Sequence, residues 1–214
     1  MLLALEGIAG AGKSTLRDRL LADASAEHPL SHIGQFSWLS LSATRTLVRL
    51  RAGHPTHPED AVQAACRDLA LHSRFNLTPA LAQGPVIADR FTLSTACLLA
   101  LLHRRPVSAY VERLAAEERA RPQLTVLLTT EPDLCHTRVT QRATGRRFTE
   151  QPTVAARLAD LYLEAAAAWT KTTGLPVMHH PCATREDLTV LAATCTRDLW
   201  VGSGPTPPTT ESNR

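Results

Sequence analysis

The chain has 214 residues, 44% of them hydrophobic, and a formal net charge of +3. That length suits a single α/β domain with a real core, and the apolar content excludes a disordered chain. The charge is too small to make nucleic acid the main partner, and no apolar run is long enough to span a bilayer, so a membrane partner is not expected either.

The first predicted element is a short apolar strand over residues 2–6. Residues 7–14 then read Gly-Ile-Ala-Gly-Ala-Gly-Lys-Ser, followed by Thr15. This is the complete G-x-x-x-x-G-K-[ST] phosphate loop, and a helix is predicted from residue 14 to about 23. Gly7, Gly10 and Gly12 permit backbone conformations in which successive N–H groups, those of Ala9 and Ala11 included, point into one cavity. The helix start adds its positive dipole end. The pattern calls for ATP as ligand, with Lys13 on the β/γ-phosphates, the Ser14 hydroxyl on Mg²⁺, and Thr15 completing the cradle. Lys13 is one of only two lysines, the other being Lys171; nearly all other cations are Arg.

Two segments, 30–34 and 37–41, compete for the second strand. A short basic helix is expected over 44–51, a loop over 53–58, and then a helix opened by Glu59 and Asp60 that runs towards Gly84 with a bend at Pro79. Residues 85–89 read as a buried strand ending in Asp89. Helices are expected over 93–103 and 107–120, a strand over 124–128, a helix over 133–142, a loop over 143–152 and a long Ala-rich helix over 153–171. A last strand over 175–178 and a helix over 185–200 complete one domain, and residues 201–214 form a polar tail. Strands alternating with helices imply a parallel sheet of about five strands covered on both faces, with the ligand at the carboxyl ends of the strands.

Asp89 and Arg90 fall at such an end. A rigidly held Asp89 suits the metal's water shell or a proton from an acceptor, and Arg90 can clamp a phosphoryl group bidentately. Arg138, Arg142, Arg146 and Arg147 form a cluster after the next strand, the composition a closing lid over about 138–152 needs. Arg138 and Arg142, four apart, are assigned to the nucleotide, with Arg142 also catalytic. His179 and His180 read as a strand-end pair rather than a metal site. Cys66, Cys97, Cys135, Cys182 and Cys195 are odd in number and dispersed, which fits reduced thiols in a cytosolic protein. The phosphate loop begins six residues in, leaving no room for a signal peptide, so a cytoplasmic location is expected.

Three segments carry a family resemblance. Residues 5–15 resemble the thymidylate kinase opening FEGxDGAGKST. Residues 79–95 are similar to its PALxxG…VIxDRYxxSS segment, and Arg121–Leu128 with Glu131, Arg138, Arg147 and Phe148 resemble its next strand, helix and lid. The resemblance spans about residues 2–170. It implies a P-loop kinase fold with a short Arg-rich lid, ATP-Mg as donor, and an acceptor site beside Asp89 and Arg90 with Ser94 on the helix that follows. A homodimer is a further family expectation, for which the apolar 98–102 run is a candidate face.

The acceptor half departs from the family pattern. Ala9 replaces an Asp near the acceptor sugar, no Glu-Pro-Gly segment follows Gly34, and Cys97-Leu98-Leu99 replaces Ala-Tyr-Gln. Arg67 is displaced by about two positions from the family's Arg before PAL. Without evident cationic contacts for an acceptor phosphate, a neutral hydroxyl acceptor is the first expectation: a nucleoside-like or antibiotic-like metabolite, with Asp89 as general base. A role in antibiotic biosynthesis or self-resistance would accompany it. Phe36 and Trp38 are placed to stack on a ring, and Arg45, His54 and His57 are further candidates for that wall. Two alternatives stand beside this reading. One is a thymidylate or other nucleoside monophosphate kinase, in which Arg45 or Arg67 supplies the phosphate contacts. The other is a regulatory nucleotide-binding protein that transfers nothing.

Overall fold

The computed structural model describes residues 1–25, 27–142 and 147–201. Among these, five strands form one parallel sheet in the order β2-β3-β1-β4-β5, where β1 is Leu2–Glu6, β2 Ser31–Ile33, β3 Val86–Asp89, β4 Leu124–Leu128 and β5 Val177–His180. The sequence expectation of an α/β fold holds. Central strands β1 and β4 are buried at every residue, which is why they read as continuous apolar runs rather than alternating ones.

The helices are α1 Lys13–Ala22, α2 Leu41–Arg51, α3 Pro58–His72, α4 Thr78–Leu81, α5 Thr92–His103, α6 Val107–Ala115, α7 Pro132–Thr140, α8 Pro152–Thr173 and α9 Arg185–Val201. Of the two candidates for β2, the earlier segment wins; the later one is an irregular stretch leading to Ser40, whose side chain caps α2. The expected bend near Pro79 is a π turn over Ser73–Leu77 ahead of α4, so the irregularity precedes the proline. The 107–120 helix stops at Ala115 and resumes as a 3₁₀ turn over Glu118–Ala120. The last strand lies two residues later than expected and takes in His179 and His180. Leu98 and Leu99 of the apolar run on α5 are core residues, while Leu101 and Leu102 are partly open. The expected lid residues 143–146 and the tail from 202 onwards lie outside the described residues.

Register positions the site. Leu5 pairs with Asp89 and Glu6 with Leu127, so the phosphate loop leaves β1 directly beside the end of β3. The chain's winding reverses at β1, the switch point at which parallel sheets open a crevice.

Candidate functional site

The phosphate loop is held by backbone packing that only glycine allows. Gly7 has φ +130°, and a Cβ there would sit 2.6 Å from the Leu128 carbonyl oxygen; at Gly10, with φ +85°, a Cβ would run into the Cys135 carbonyl. The loop is thereby pressed onto β4 and α7. Lys13 folds back inside it, and its Nζ donates to the carbonyls of Gly7 at 2.9 Å and Ile8 at 2.6 Å. Burial, with the Arg90 cation adding to it, holds the Lys13 pKa well below the ordinary lysine value. Ser14 and Thr15 are exposed towards the cavity.

That cavity measures about 630 Å³ and is open on one side. Its floor is Ala9, Gly10, Gly12 and Lys13–Thr15, and one wall is Asp89 and Arg90. Asp89 accepts from Arg17 Nη1 at 2.7 Å, an ion pair that the sequence reading did not include. Arg17 is one helical turn beyond Lys13 and so shares its face, a spacing that would have flagged it. Arg90 takes the left-handed conformation, φ +64°, and its Nη1 donates to the Gly7 carbonyl at 2.9 Å and the Tyr162 hydroxyl at 3.1 Å. A non-glycine residue at positive φ costs on the order of 1 kcal/mol and is typical of functional positions. Ser94, expected to meet the acceptor, is buried and instead bonds Glu6 and Tyr162, though it borders a small cavity behind Arg90.

The opposite wall is built by residues 35–38, with β2 ending at Ile33 ahead of them. Asp68, fully buried on α3, accepts from the Ser37 N–H at 2.9 Å, the Ser37 hydroxyl at 2.7 Å and the Trp38 N–H at 3.2 Å. Together with the His72 ring on the Gly34 carbonyl at 2.9 Å, this clamp fixes the segment and holds Trp38 at φ +59°. Phe36 and Trp38 meet edge to face at 5.2 Å, and the Arg51 guanidinium lies 6.0 and 5.7 Å from their rings. Arg67 and Arg45 are exposed and lie outside this cavity, as do His54 and His57. Arg51, one turn beyond the buried Leu47, is the α2 cation that borders the cavity. In α3 the residues turned inward include the carboxylate of Asp68 and the ring of His72 on a largely apolar face, not the neighbouring Arg67.

The third wall follows α7. Arg138 borders the cavity, and its guanidinium donates to the carbonyls of Gly10, Cys182 and Ala183, at 3.3, 2.9 and 2.7 Å, which ties the 182–184 loop to the phosphate loop. Arg142 lies past the end of α7 and borders the cavity with Arg147, whereas Arg146 lies outside the described residues. Gly53, φ +82°, admits the Phe148 ring, against which a Cβ would stand only 2.6 Å away. That fit seats the 148–150 turn on the end of α2 and brings Arg147 beside Arg51. Partial burial first, then the cations of Arg147 and Arg90, lower the Arg51 pKa. No cluster of three His, Cys, Asp or Glu suited to a metal occurs among the described residues. Ser14 and Asp89 offer hard oxygen donors to the cavity, a sparse set that suits an Mg²⁺ shared with phosphates and water.

Comparison with known proteins adds to this geometry. The thymidylate kinase family model matches residues 5–176. The chain is 31% identical over 147 residues to the probable thymidylate kinase of Archaeoglobus fulgidus, an alignment covering 66% of this chain and 70% of the relative. Phosphate loop, parallel sheet and a match over most of the chain agree: the protein belongs to the thymidylate kinase family.

Proposed function

We propose that this protein transfers the γ-phosphoryl group of ATP-Mg to the phosphate of a nucleoside monophosphate, with dTMP the first acceptor to test. The observation that carries the reading is the set of cations facing one cavity. Arg51, Arg90, Arg142 and Arg147 border it, and among the described residues none of them forms an ion pair with a carboxylate. Guanidinium groups without a carboxylate partner are stabilised by a polyanion, and a phosphate stripped of water needs such contacts. The hydroxyl acceptor expected from the sequence requires a free base, whereas Asp89 is engaged by Arg17. The phosphate of a monophosphate acceptor is already ionised and needs none.

In this reading bound ATP-Mg supplies the phosphoryl group. Lys13 would reach the β/γ-phosphates, Ser14 and the Asp89 oxygen not paired with Arg17 would hold the metal and its water, and Arg142 would neutralise the transferring group. Arg51, Arg90 and Arg147 orient the acceptor phosphate. The acceptor base meets the open Phe36–Trp38 face, because the space behind Phe36 towards Thr95 is only about 10 Å³. Free thiols at all five cysteines suit a reducing, cytoplasmic setting, and no described helix is long and apolar enough to cross a membrane.

The test is ADP release with ATP-Mg and a panel of dTMP, other nucleoside monophosphates, nucleosides and hydroxylated antibiotics. Turnover of a monophosphate with none of the matching nucleoside is the expected result. Turnover confined to hydroxyl acceptors would restore the alternative reading, and no turnover of any acceptor would favour a regulatory protein.

A further inference from the structure

Arg90 is held by two hydrogen bonds, and its partners form a chain that ends on a buried carboxyl, Glu6, whose pKa burial raises against the pull of its hydrogen-bond donors and Arg90. Glu6, at the end of β1, has no solvent exposure. It accepts from the backbone N–H groups of Phe91, Leu93 and Ser94 at 3.0, 2.9 and 3.1 Å, and from the Ser94 hydroxyl. The first N–H groups of α5, which lacks a capping side chain of its own, are thus satisfied by a carboxylate from another strand. Ser94 Oγ lies 2.6 Å from the Tyr162 hydroxyl, which in turn lies 3.1 Å from Arg90 Nη1.

Proton counting gives this chain a direction. Three backbone N–H donors on its two oxygens favour the ionised form of Glu6, and Ser94 gives its one hydroxyl proton to that carboxylate. Tyr162 must therefore donate to Ser94, which leaves its lone pairs for Arg90. Burial pushes the Tyr162 pKa up, so the phenol keeps the proton it donates. On Arg90, the two Nη1 protons go to Gly7 and Tyr162. Nε–H and the two Nη2 protons remain, and they form the edge that matches a phosphate bidentately. Tyr162 belongs to α8, the helix that begins just after the turn following Arg147.

We propose that Tyr162, fixed through Ser94 by the buried Glu6, is a positioning residue that presents the Nε–Nη2 edge of Arg90 to the acceptor phosphate. The relay joins the helix that follows the lid to the acceptor clamp: a shift of α8 would turn Arg90. The inference rests on the nucleotide kinase reading for its substrate, and its geometry can be tested apart from that reading.

The experiment compares wild type, Tyr162→Phe, Arg90→Lys and the double variant. Two readouts are used: kinetics with ATP-Mg and the best monophosphate of the panel, and nitrogen NMR of the arginine side chains. Tyr162→Phe keeps the ring and its packing, so a thermal midpoint close to wild type is expected. The expected loss is about tenfold in kcat/KM for the acceptor, with the KM for ATP nearly unchanged. The loss should vanish when Tyr162→Phe is added to Arg90→Lys, and the slowly rotating Arg90 guanidinium of wild type should become averaged in Tyr162→Phe. Acceptor kinetics unchanged in Tyr162→Phe, or a loss that adds fully to that of Arg90→Lys, would overturn the relay. A wild type inert towards every monophosphate would overturn the kinase reading instead, and the nitrogen spectra would then decide the relay alone.

Discussion

The proposed donor and acceptor halves of the cavity are made in opposite ways. The donor half is eight consecutive residues, Gly7 to Ser14, folded between β1 and α1 and packed on β4 through glycines. The acceptor half collects Phe36, Arg51, Arg90 and Arg147 from four stretches of chain, joined by the Asp68 clamp and by the seating of Phe148 on Gly53. A site made of adjacent residues is written in the sequence as a motif. A site made by tertiary packing is written only in the faces that helices turn inward.

The halves should therefore break differently. Lys13→Met removes the charge at the centre of the donor half and should lower turnover by on the order of 10³ or more with any acceptor, while circular dichroism shows the fold retained. Substantial residual turnover would remove Lys13 from the donor site. Asp89→Asn lies where the halves meet and should cost about 10² in kcat, partly recovered at high Mg²⁺ if Asp89 serves the metal. A loss of comparable size that no Mg²⁺ concentration relieves would point to a general base and so to a hydroxyl acceptor.

Arg51→Ala sharpens the comparison from the other side. It should raise the KM for a monophosphate about tenfold and leave the KM for ATP within about twofold. Equal effects on both constants would dissolve the division into halves. The smallest effect expected is on pH. Lys13 is held well below its ordinary pKa in the free protein, and bound polyphosphate favours its charged form and raises the pKa again. ATP binding then takes up a proton once the pH exceeds the free-protein pKa, so affinity falls as pH rises through that value. Calorimetry in two buffers of different ionisation enthalpy, from neutral pH to about 9.5, should show that uptake growing with pH. Affinity independent of pH would mean that Lys13 stays charged throughout.

The contrast also explains what was legible in the sequence. Sheet, helices and phosphate loop could be read because each rests on local pattern: apolar runs for β1 and β4, glycine spacing for the loop, Pro58 with Glu59 and Asp60 for the start of α3. The ends of elements were displaced where side chains from elsewhere decide them, as with α5, whose first turn is capped by Glu6. The missing Glu-Pro-Gly segment after Gly34 suggested an acceptor without evident cationic contacts. That reading did not weigh Arg51, whose proposed role depends on α2 turning it towards Phe36 and Trp38. Arg138, with the spacing of a ligand-binding cation, also donates to backbone carbonyls beside the phosphate loop, contacts that no local pattern announces.

The central claim is that the acceptor offers a phosphate to Arg51, Arg90 and Arg147. Phosphorus NMR of the product formed from ATP-Mg and dTMP tests it most directly. The account predicts the paired, coupled resonances of a nucleoside diphosphate, formed at a rate that falls sharply in Arg51→Ala. Absence of that diphosphate from dTMP and from every other monophosphate, together with a new uncoupled phosphomonoester signal from a hydroxylated acceptor, would contradict it.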